Sequence, residues 1–537
     1  DFFLLDSSTS ATMVIRFLLW FGGLASAFNI TNVRPPSSKR TFHSSLIDFV
    51  VKQINETVFP QPLGTLFGNC LPNTMDTTVL HSASVPSMLG NISDTFVITG
   101  DIPAMWLRDS MNQVYPYVRI LNASRAAGKR DHALESFLFG VVHRQASSIM
   151  ADVYANAFAW WGPNGVTGAN SGDQTYKEFE VGAGQEDAMQ DLRLYERKFE
   201  IDSLLSLLKL ASGLHESTSP GEAATIYLKD PDFIPAIGKI LDALETMQDC
   251  SNNIYTFQRQ AIEPTDTLSH GVGFPCINTG MVRTHFRPSD DAVVYAFNIP
   301  GNAMAAVELG RLINLLRDMQ THVFEVLPWT AGLPRMMQRA IDLEKSIRSG
   351  IEAHGTMQYH GQKVYAYEVD GIGNAIFMDD ANVPSLLSLP FLGFLDAADP
   401  MYQRTRSLVL SKYNPWFFKG SLGIGGIGGP HVGIGHIWPM SLMMQAWSSN
   451  NVSEVRLLLE QLMDSSFPNS LMHESFNKDT FKDFTRKWFA WANTLFGDLM
   501  LKISSDAVLY PAANLSKPLD LVALIRNWGQ NDGITLV

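Results

Sequence analysis

Apolar residues recur at helical spacing along most of the chain from about Thr41 onward. Met111, Val114, Tyr115, Val118 and Leu121 fall on one face of the segment Ser110 to Leu121. Ile201, Leu204, Leu205, Leu208 and Ala211 repeat that spacing, and so do Met336, Met337, Ala340, Ile341, Ile347 and Ile351. Proline and glycine clusters punctuate these runs, as in "STSPGE", "NIPGN" and "GPHVGIGHIWP". There is no regular β–α alternation, no run of hairpin signals, no fixed-period repeat and no low-complexity linker after residue 40. The pattern predicts an all-α body with long loops, and short strands within 250–300 and 355–375.

Composition sharpens this picture. A chain of 537 residues could divide into several domains, but closed barrels run long as single units. Hydrophobic residues make up 46% of it and charged ones 17%, which fits a large body with little surface for its volume. The formal charge is −13 and no Lys/Arg block occurs, so nucleic acid is not an expected partner. Neutral substrates remain open.

The start of the chain has its own logic. Met13, Arg16, the apolar run Phe17 to Leu24 and Ala25-Ser26-Ala27 have the order of a secretory signal. The run is short for a bilayer span. We expect residues 1–12 to be a gene-model artefact, 13–27 a signal peptide, 28–40 an N-terminal extension and 41–530 one domain. No stable membrane insertion is expected after cleavage; a short N-terminal anchor is the competing reading. Six N-x-S/T sequons, at Asn29, Asn55, Asn91, Asn122, Asn451 and Asn514, favour the secretory pathway, extracellular or in the endoplasmic reticulum lumen. Three cysteines are too few for a disulfide scaffold or a Cys-rich zinc site. Cys250–Cys276 is the favoured bridge, leaving Cys70 over.

Several familiar chemistries fail on inspection. "GIGGIGG", Gly423 to Gly429, has no apolar strand before it, Pro430 where a helix should open, and no acid near residue 443. We expect an irregular loop whose backbone approaches a ligand closely. His473-Glu474 begins an H-E-x-x-H pattern, but position 477 is Asn. No G-x-S-x-G elbow is present.

What remains resembles sugar chemistry: tryptophans for pyranose faces, acids and arginines for hydroxyls, paired carboxyls for hydrolysis. Trp106, Arg108 and Asp109 crowd "TGDIPAMWLRDS" together with Asp101. "YERKFEIDSL" carries Glu196, Glu200 and Asp202; read as a helix, Glu196 and Glu200 share a face and Asp202 points elsewhere. Lys198 stands four residues before Asp202, and a lysine that close would lower an acid's pKa, the wrong direction for a proton donor. "RTHFRPSDDA" offers Arg283, Arg287, Asp290 and Asp291; "FMDDANVPSL" offers Asp379, Asp380 and Asn382. "HIWP" supplies His436, and "MHESFNKDTFKDFTRKWFAWAN" supplies Glu474, Arg486, Trp488 and Trp491. A capped helix, a charged helix face, a solvated turn and structural histidines are the plain alternatives for these segments.

In order, from about residue 58 to 500, these motifs closely resemble glycoside hydrolase family 125, the metal-independent exo-α-1,6-mannosidases, in particular secreted fungal members. The resemblance implies an (α/α)6 barrel (toroid) with a few short strands at the active-site mouth, and a monomer acting on α-mannoside oligosaccharides of mannan or N-glycans without metal or cofactor. It implies inversion, with carboxyls roughly 6.5–9.5 Å apart to admit a water. Carried over, Asp202 is the general acid, with Glu200 as fallback, and Glu474 the general base. Trp106, Arg108, Asp109, Asp380, Asn382 and His436 line the terminal-mannose pocket, with Arg283 and Asp290 as weaker members. Segments within 213–280, including "STSPGEAATIYLKD", read as inserted loops. An inactive sugar-binding relative and an (α/α)6 glycosidase of another specificity are the alternatives.

Overall fold

The computed structural model describes residues 24, 26–162, 165–168, 170–175, 187–252, 254–260, 263–322 and 330–529. It is mostly helical. The helices that position the site are α1 (Leu107–Ala126), α2 (His132–Ala151), α3 (Ile201–Ser217), α4 (Phe233–Met247), α5 (Ile299–Thr321), α6 (Leu333–His354), α7 (Pro439–Trp447), α8 (Val452–Ser465) and α9 (Ala490–Ser505). Helix α1 packs between α9 and α3, and α3 packs on to α5. Outside them, α2 packs on α4, α4 on α6, and α6 back on α5. Helices α7 and α8 pair with each other, and α7 also packs on α9.

Burial separates the two layers. Helices α3 and α9 are buried on nearly every side, so they carry small and apolar residues all round. Helix α6 buries only a stripe that includes Ala340, Ile347 and Ile351, the face read from the sequence. The predicted faces of α1 and α3 are also inside: Met111, Val114, Val118 and Leu121, then Leu204, Leu205, Leu208 and Ala211.

Short antiparallel sheets sit where inner helices begin. Strands β3 (Met105–Trp106), β4 (Ala157–Phe158) and β5 (Leu194–Glu196) form one, in the order β3-β4-β5; β1 (Val79–Ser87) and β2 (Gly90–Val97) form a separate hairpin. Strands β6 (Phe297–Asn298), β7 (Glu368–Val369) and β8 (Ala375–Ile376) form a second sheet, with β7 central. Strands β9 (His436–Ile437), β10 (Ser475–Asn477) and β11 (Thr480–Thr485) form a third. β3 runs directly into α1 and β6 into α5, while one residue separates β9 from α7. Local chemistry fixes the switch from strand to helix: Asn298 accepts a hydrogen bond from Gly301 N at 2.8 Å, with Pro300 in the first turn. The same sheets bring the first turns of α1, α5 and α7 to one end, where the site lies.

Strands fall in both segments expected to hold them, but the β1–β2 hairpin was not foreseen. Its alternation is weak because most of β1 is exposed or half-exposed, so polar residues occupy both faces. Cys250 and Cys276 are bridged, and Cys70 is a buried free thiol. Residues 1–23 and 25, which hold most of the expected signal peptide, lie outside the described residues. The extension after them packs on the body: Phe28 stacks on Phe467 at 4.3 Å, and Arg34 pairs with Asp76 at 2.7 Å. Among the described residues, no helix is long and apolar enough to cross a membrane. Sequon residues Asn29, Asn91, Asn122, Asn451 and Asn514 are exposed and Asn55 is half-buried.

Candidate active site

An inner cavity of about 370 Å³, counting the space open to solvent, lies at the helix N-termini. Its wall includes Trp106, Arg108 and Asp109 from the start of α1, Asp290, Asn382, His431, Trp438, Glu474, Arg486 and Trp491. Beside it lies an outer cleft of about 1220 Å³, walled by Tyr195, Glu196, Lys198, Arg259, Asp266 and Asp291 among others. Ile102, Trp106, Asp290, His431 and Arg486 border both.

Arg108 organises the inner wall. Its Nη1 donates to Glu200 at 2.7 Å and reaches Asp202 at 3.5 Å; its Nη2 donates to Asp290 at 3.0 Å and lies 3.5 Å from Asp109. Asn156, just before β4, adds a second bridge: its Nδ2 donates to Glu196 at 2.8 Å and faces Glu200 at 3.3 Å and Asp290 at 3.4 Å. Acids outnumber cations here, and burial controls their protons. Burial pushes Asp109 and Asp202 each up to about 6, against the pull of Arg108. Burial also drives Glu200 well upward. Asp290 moves the other way: burial opposes its charge, but Arg108, a hydrogen bond shared with Glu200, and Lys198 hold it far below the ordinary range.

Across the cavity, Arg486 Nε sits 3.3 Å from Glu474 and its Nη1 3.6 Å from Asp101, a counter-charge for the carboxylate. The indole Nε1 atoms of Trp106 and Trp438 are buried without a partner among the described residues. Neutral donors of this kind suit sugar hydroxyls.

The structure brings Trp106, Arg108, Asp109, Asp290, Asn382 and Glu474 together on one cavity. Four expected residues are elsewhere. Asp202 lies behind Arg108, 1% exposed, and lines neither cavity. Asp380 is equally buried and accepts from Asn382 N at 3.0 Å, bracing the turn that presents Asn382. Arg283 donates to the Asn252 carbonyl at 2.6 Å and so ties two loops behind the site. His436 is in β9, 3.7 Å from Asp483, and the histidine on the wall is His431.

Two local expectations also change. Residues 196–200 are not helical: Glu196 ends β5 and Glu200 precedes the first residue of α3 in extended backbone. The shared helix face of Glu196 and Glu200 therefore does not exist, and Glu200 and Asp202 instead meet at Arg108. Lys198 turns away from Asp202, donating to Asp266 at 2.5 Å and to the Asp290 carbonyl at 2.7 Å. The glycine loop approaches protein rather than presenting itself to the cavity: a Cβ on Gly429 would meet Asp380 Oδ2 at 3.0 Å, and one on Gly428 the His436 carbonyl at 2.1 Å. What the loop contributes to the wall is His431.

Asp290 itself has φ 68°, in the left-handed region that Asp and Asn tolerate better than most residues. His473 is structural, with ring nitrogens 2.8 Å from the Arg486 carbonyl and 3.1 Å from that of Phe467. Sequence reasoning missed His431 and undervalued Asp290. The signal for His431 was its place between glycines beside Pro430; for Asp290, the turn residues before it in "RPSDD".

Comparison with known proteins shows the family to which the chain belongs. The chain is 38% identical over 484 residues to the meiotically up-regulated gene 157 protein of Schizosaccharomyces pombe, covering 88% of each chain. It resembles a solved metal-independent α-mannosidase of Streptococcus pneumoniae in a non-productive complex with α-1,6-mannobiose, at TM-score 0.72 and 33% identity. That match covers 86% of this chain and 99% of the other. The family model of the metal-independent α-mannosidases matches residues 61–501, and the chain belongs to that family, glycoside hydrolase family 125.

Proposed function

We propose that the protein is an inverting, exo-acting α-1,6-mannosidase that removes single terminal mannose residues from mannan or N-glycan chains. Its helices close as an (α/α)6 toroid, and it works as a secreted or lumenal monomer without metal. One observation carries the reading: a small inner cavity meets a wide outer cleft, and a carboxyl group, Asp290, stands on their common border. The terminal sugar occupies the inner cavity and the rest of the chain the cleft, so the bond to be cut lies at that border. A proton donor must reach its oxygen within about 3 Å. Asp290 meets this demand and Asp202, off both walls, does not. We therefore give Asp290 the acid role first expected of Asp202. Glu474, on the inner wall beside Arg486, is the base that takes a proton from the attacking water.

Trp106 stands at the border for a pyranose face, its ring 5.3 Å from that of Tyr195. Arg108, Asp109, Asn382 and His431 supply partners for hydroxyls. The test is release of mannose from α-1,6-mannobiose by the purified protein, with the fresh product followed by NMR. The expected first product is the β-anomer, formed equally well in EDTA. Release of α-mannose, or no release at all, would overturn the assignment.

A further inference from the structure

Glu200 is a buried acid on neither cavity wall, and the reaction above leaves it unused. It occupies the cap position of α3 yet makes no cap hydrogen bond. Its carboxylate is held instead by Arg108 Nη1 at 2.7 Å, Ser203 Oγ at 2.8 Å and Asn156 Nδ2 at 3.3 Å. Two of those three side chains also hold Asp290, through Arg108 Nη2 at 3.0 Å and Asn156 Nδ2 at 3.4 Å. One guanidinium and one amide thus span two carboxyls, and a single amide nitrogen within 3.3 and 3.4 Å of them sets the carboxyls side by side. Neighbouring buried carboxyls do not both ionise readily, so the pair keeps one proton between them.

The two members differ in surroundings. The Asp290 side chain is 20% exposed and that of Glu200 is fully buried. Desolvation falls harder on Glu200, so the shared proton rests there; Arg108 favours charge on both carboxyls, and Lys198, bonded to the Asp290 carbonyl at 2.7 Å, adds its charge on the Asp290 side.

We propose that Glu200 is a positioning residue for proton donation: with Arg108 and Asn156 it stores the one proton that Asp290 delivers to the leaving sugar. This rests on Asp290 being the donor. The proton crosses from Glu200 to the neighbouring Asp290 carboxyl. The Asp290 O–H bond then breaks as the glycosidic oxygen takes the proton and keeps the electron pair of the departing C–O bond. Water forms the new C–O bond and gives its proton to Glu474, which releases it to solvent. The Glu200–Asp290 pair regains one proton from solvent, and the balance is one water consumed.

The test is the pH profile of kcat/KM on α-1,6-mannobiose and on an aryl α-mannoside with an easily departing phenolate. Glu200→Gln has nearly the same shape but cannot share the proton, and Arg108 then keeps Asp290 ionised. The basic limb should move down by about one pH unit or more. The loss at neutral pH should be at least about tenfold on the disaccharide and smaller on the aryl glycoside, which needs less protonation. Ser203→Ala removes a donor that favours the ionised carboxyl, so its basic limb should move up. Thermal melting checks folding, and Ser203→Ala decides alone if Glu200→Gln does not fold. An unmoved basic limb in the folded variants would overturn the role of Glu200. Undiminished mannobiose turnover by Asp290→Asn would instead overturn the reading of the donor itself.

Discussion

Two ionic clusters meet on helix α3, and their charge balance differs. At the N-terminal ends, Arg108 on α1 meets Asp109, Glu200, Asp202 and Asp290, four acids around one guanidinium. Further along, Lys209 on α3 and Arg311 on α5 share their surroundings with Glu308 and Glu216. There Arg311 binds Glu308 at 2.9 Å and Glu216 at 2.8 Å, and Lys209 Nζ lies over the rings of Tyr115 and Phe391 at 5.0 and 4.7 Å. Two cations face two acids, and none of the four lines either cavity at the site. A matched cluster can satisfy its charges internally and hold helices in register. An over-acidic one retains protons near neutral pH and so has something to give a substrate. Helix α3 thus carries a brace at one level and, at another, an acid to which we assign proton chemistry.

The contrast breaks most visibly at the over-acidic end. Asp290→Asn and Glu474→Gln should each lower kcat on α-1,6-mannobiose by about 10²–10⁴-fold. Asp202→Asn, equally buried but off the cavity, should stay within about tenfold of wild type. A loss for Asp202→Asn as large as that for Asp290→Asn would return the donor role to Asp202. Next in size, Arg108→Met strands several carboxyls in a buried place and should cost about 3–5 kcal/mol in urea unfolding at pH 7. Part of that should return near pH 5, because Asp109 and Asp202, already pushed up to about 6, take protons there.

Smaller effects separate wall from scaffold. His431→Ala should lower kcat/KM about tenfold, the worth of one good hydrogen bond to a ligand, while His436→Ala stays within about threefold. Equal effects would mean that the wall is drawn wrongly. The smallest change is expected in the matched cluster. Lys209→Met should alter stability at pH 7 by only about 1–2 kcal/mol. Burial lowers the Lys209 amine to about 8 from an ordinary 10.5. Between those values the unfolded chain binds a proton that the folded protein has lost, so wild-type stability contains a term that rises with pH across this window. Urea unfolding at pH 8 and pH 10 should show that rise in wild type and not in the variant.

The helical scaffold was legible because burial imposes a repeating face, as in α1, α3 and α6. The β1–β2 hairpin was not, since β1 is largely exposed and β2 buries four residues in a row, so neither imposes an alternation. The site was half legible. Trp106, Arg108, Asp109 and Glu474 stand in motifs whose residue types leave few other uses. Asp202 was assigned by resemblance, and spacing could not place it: "ERKFEIDSL" was read as helix, whereas extended backbone precedes Ile201 and changes which side chains face Arg108. Asp290 and His431 lie on loops, where position depends on contacts far along the chain. Lys198, four residues from Asp202, is aimed at a carbonyl 92 residues away.

The left-handed backbone at Asp290 narrows what this position accepts. Alanine, glutamate or a branched residue there would strain the turn, whereas asparagine or glycine would fit. A descendant that gave up hydrolysis while keeping its grip on glycans would find asparagine the least disruptive exchange, since it preserves the loop and much of its polarity. With Asp290 as the proposed donor, one codon separates a cutting protein from a lectin-like one, and its identity in a newly met homologue is the first thing to read.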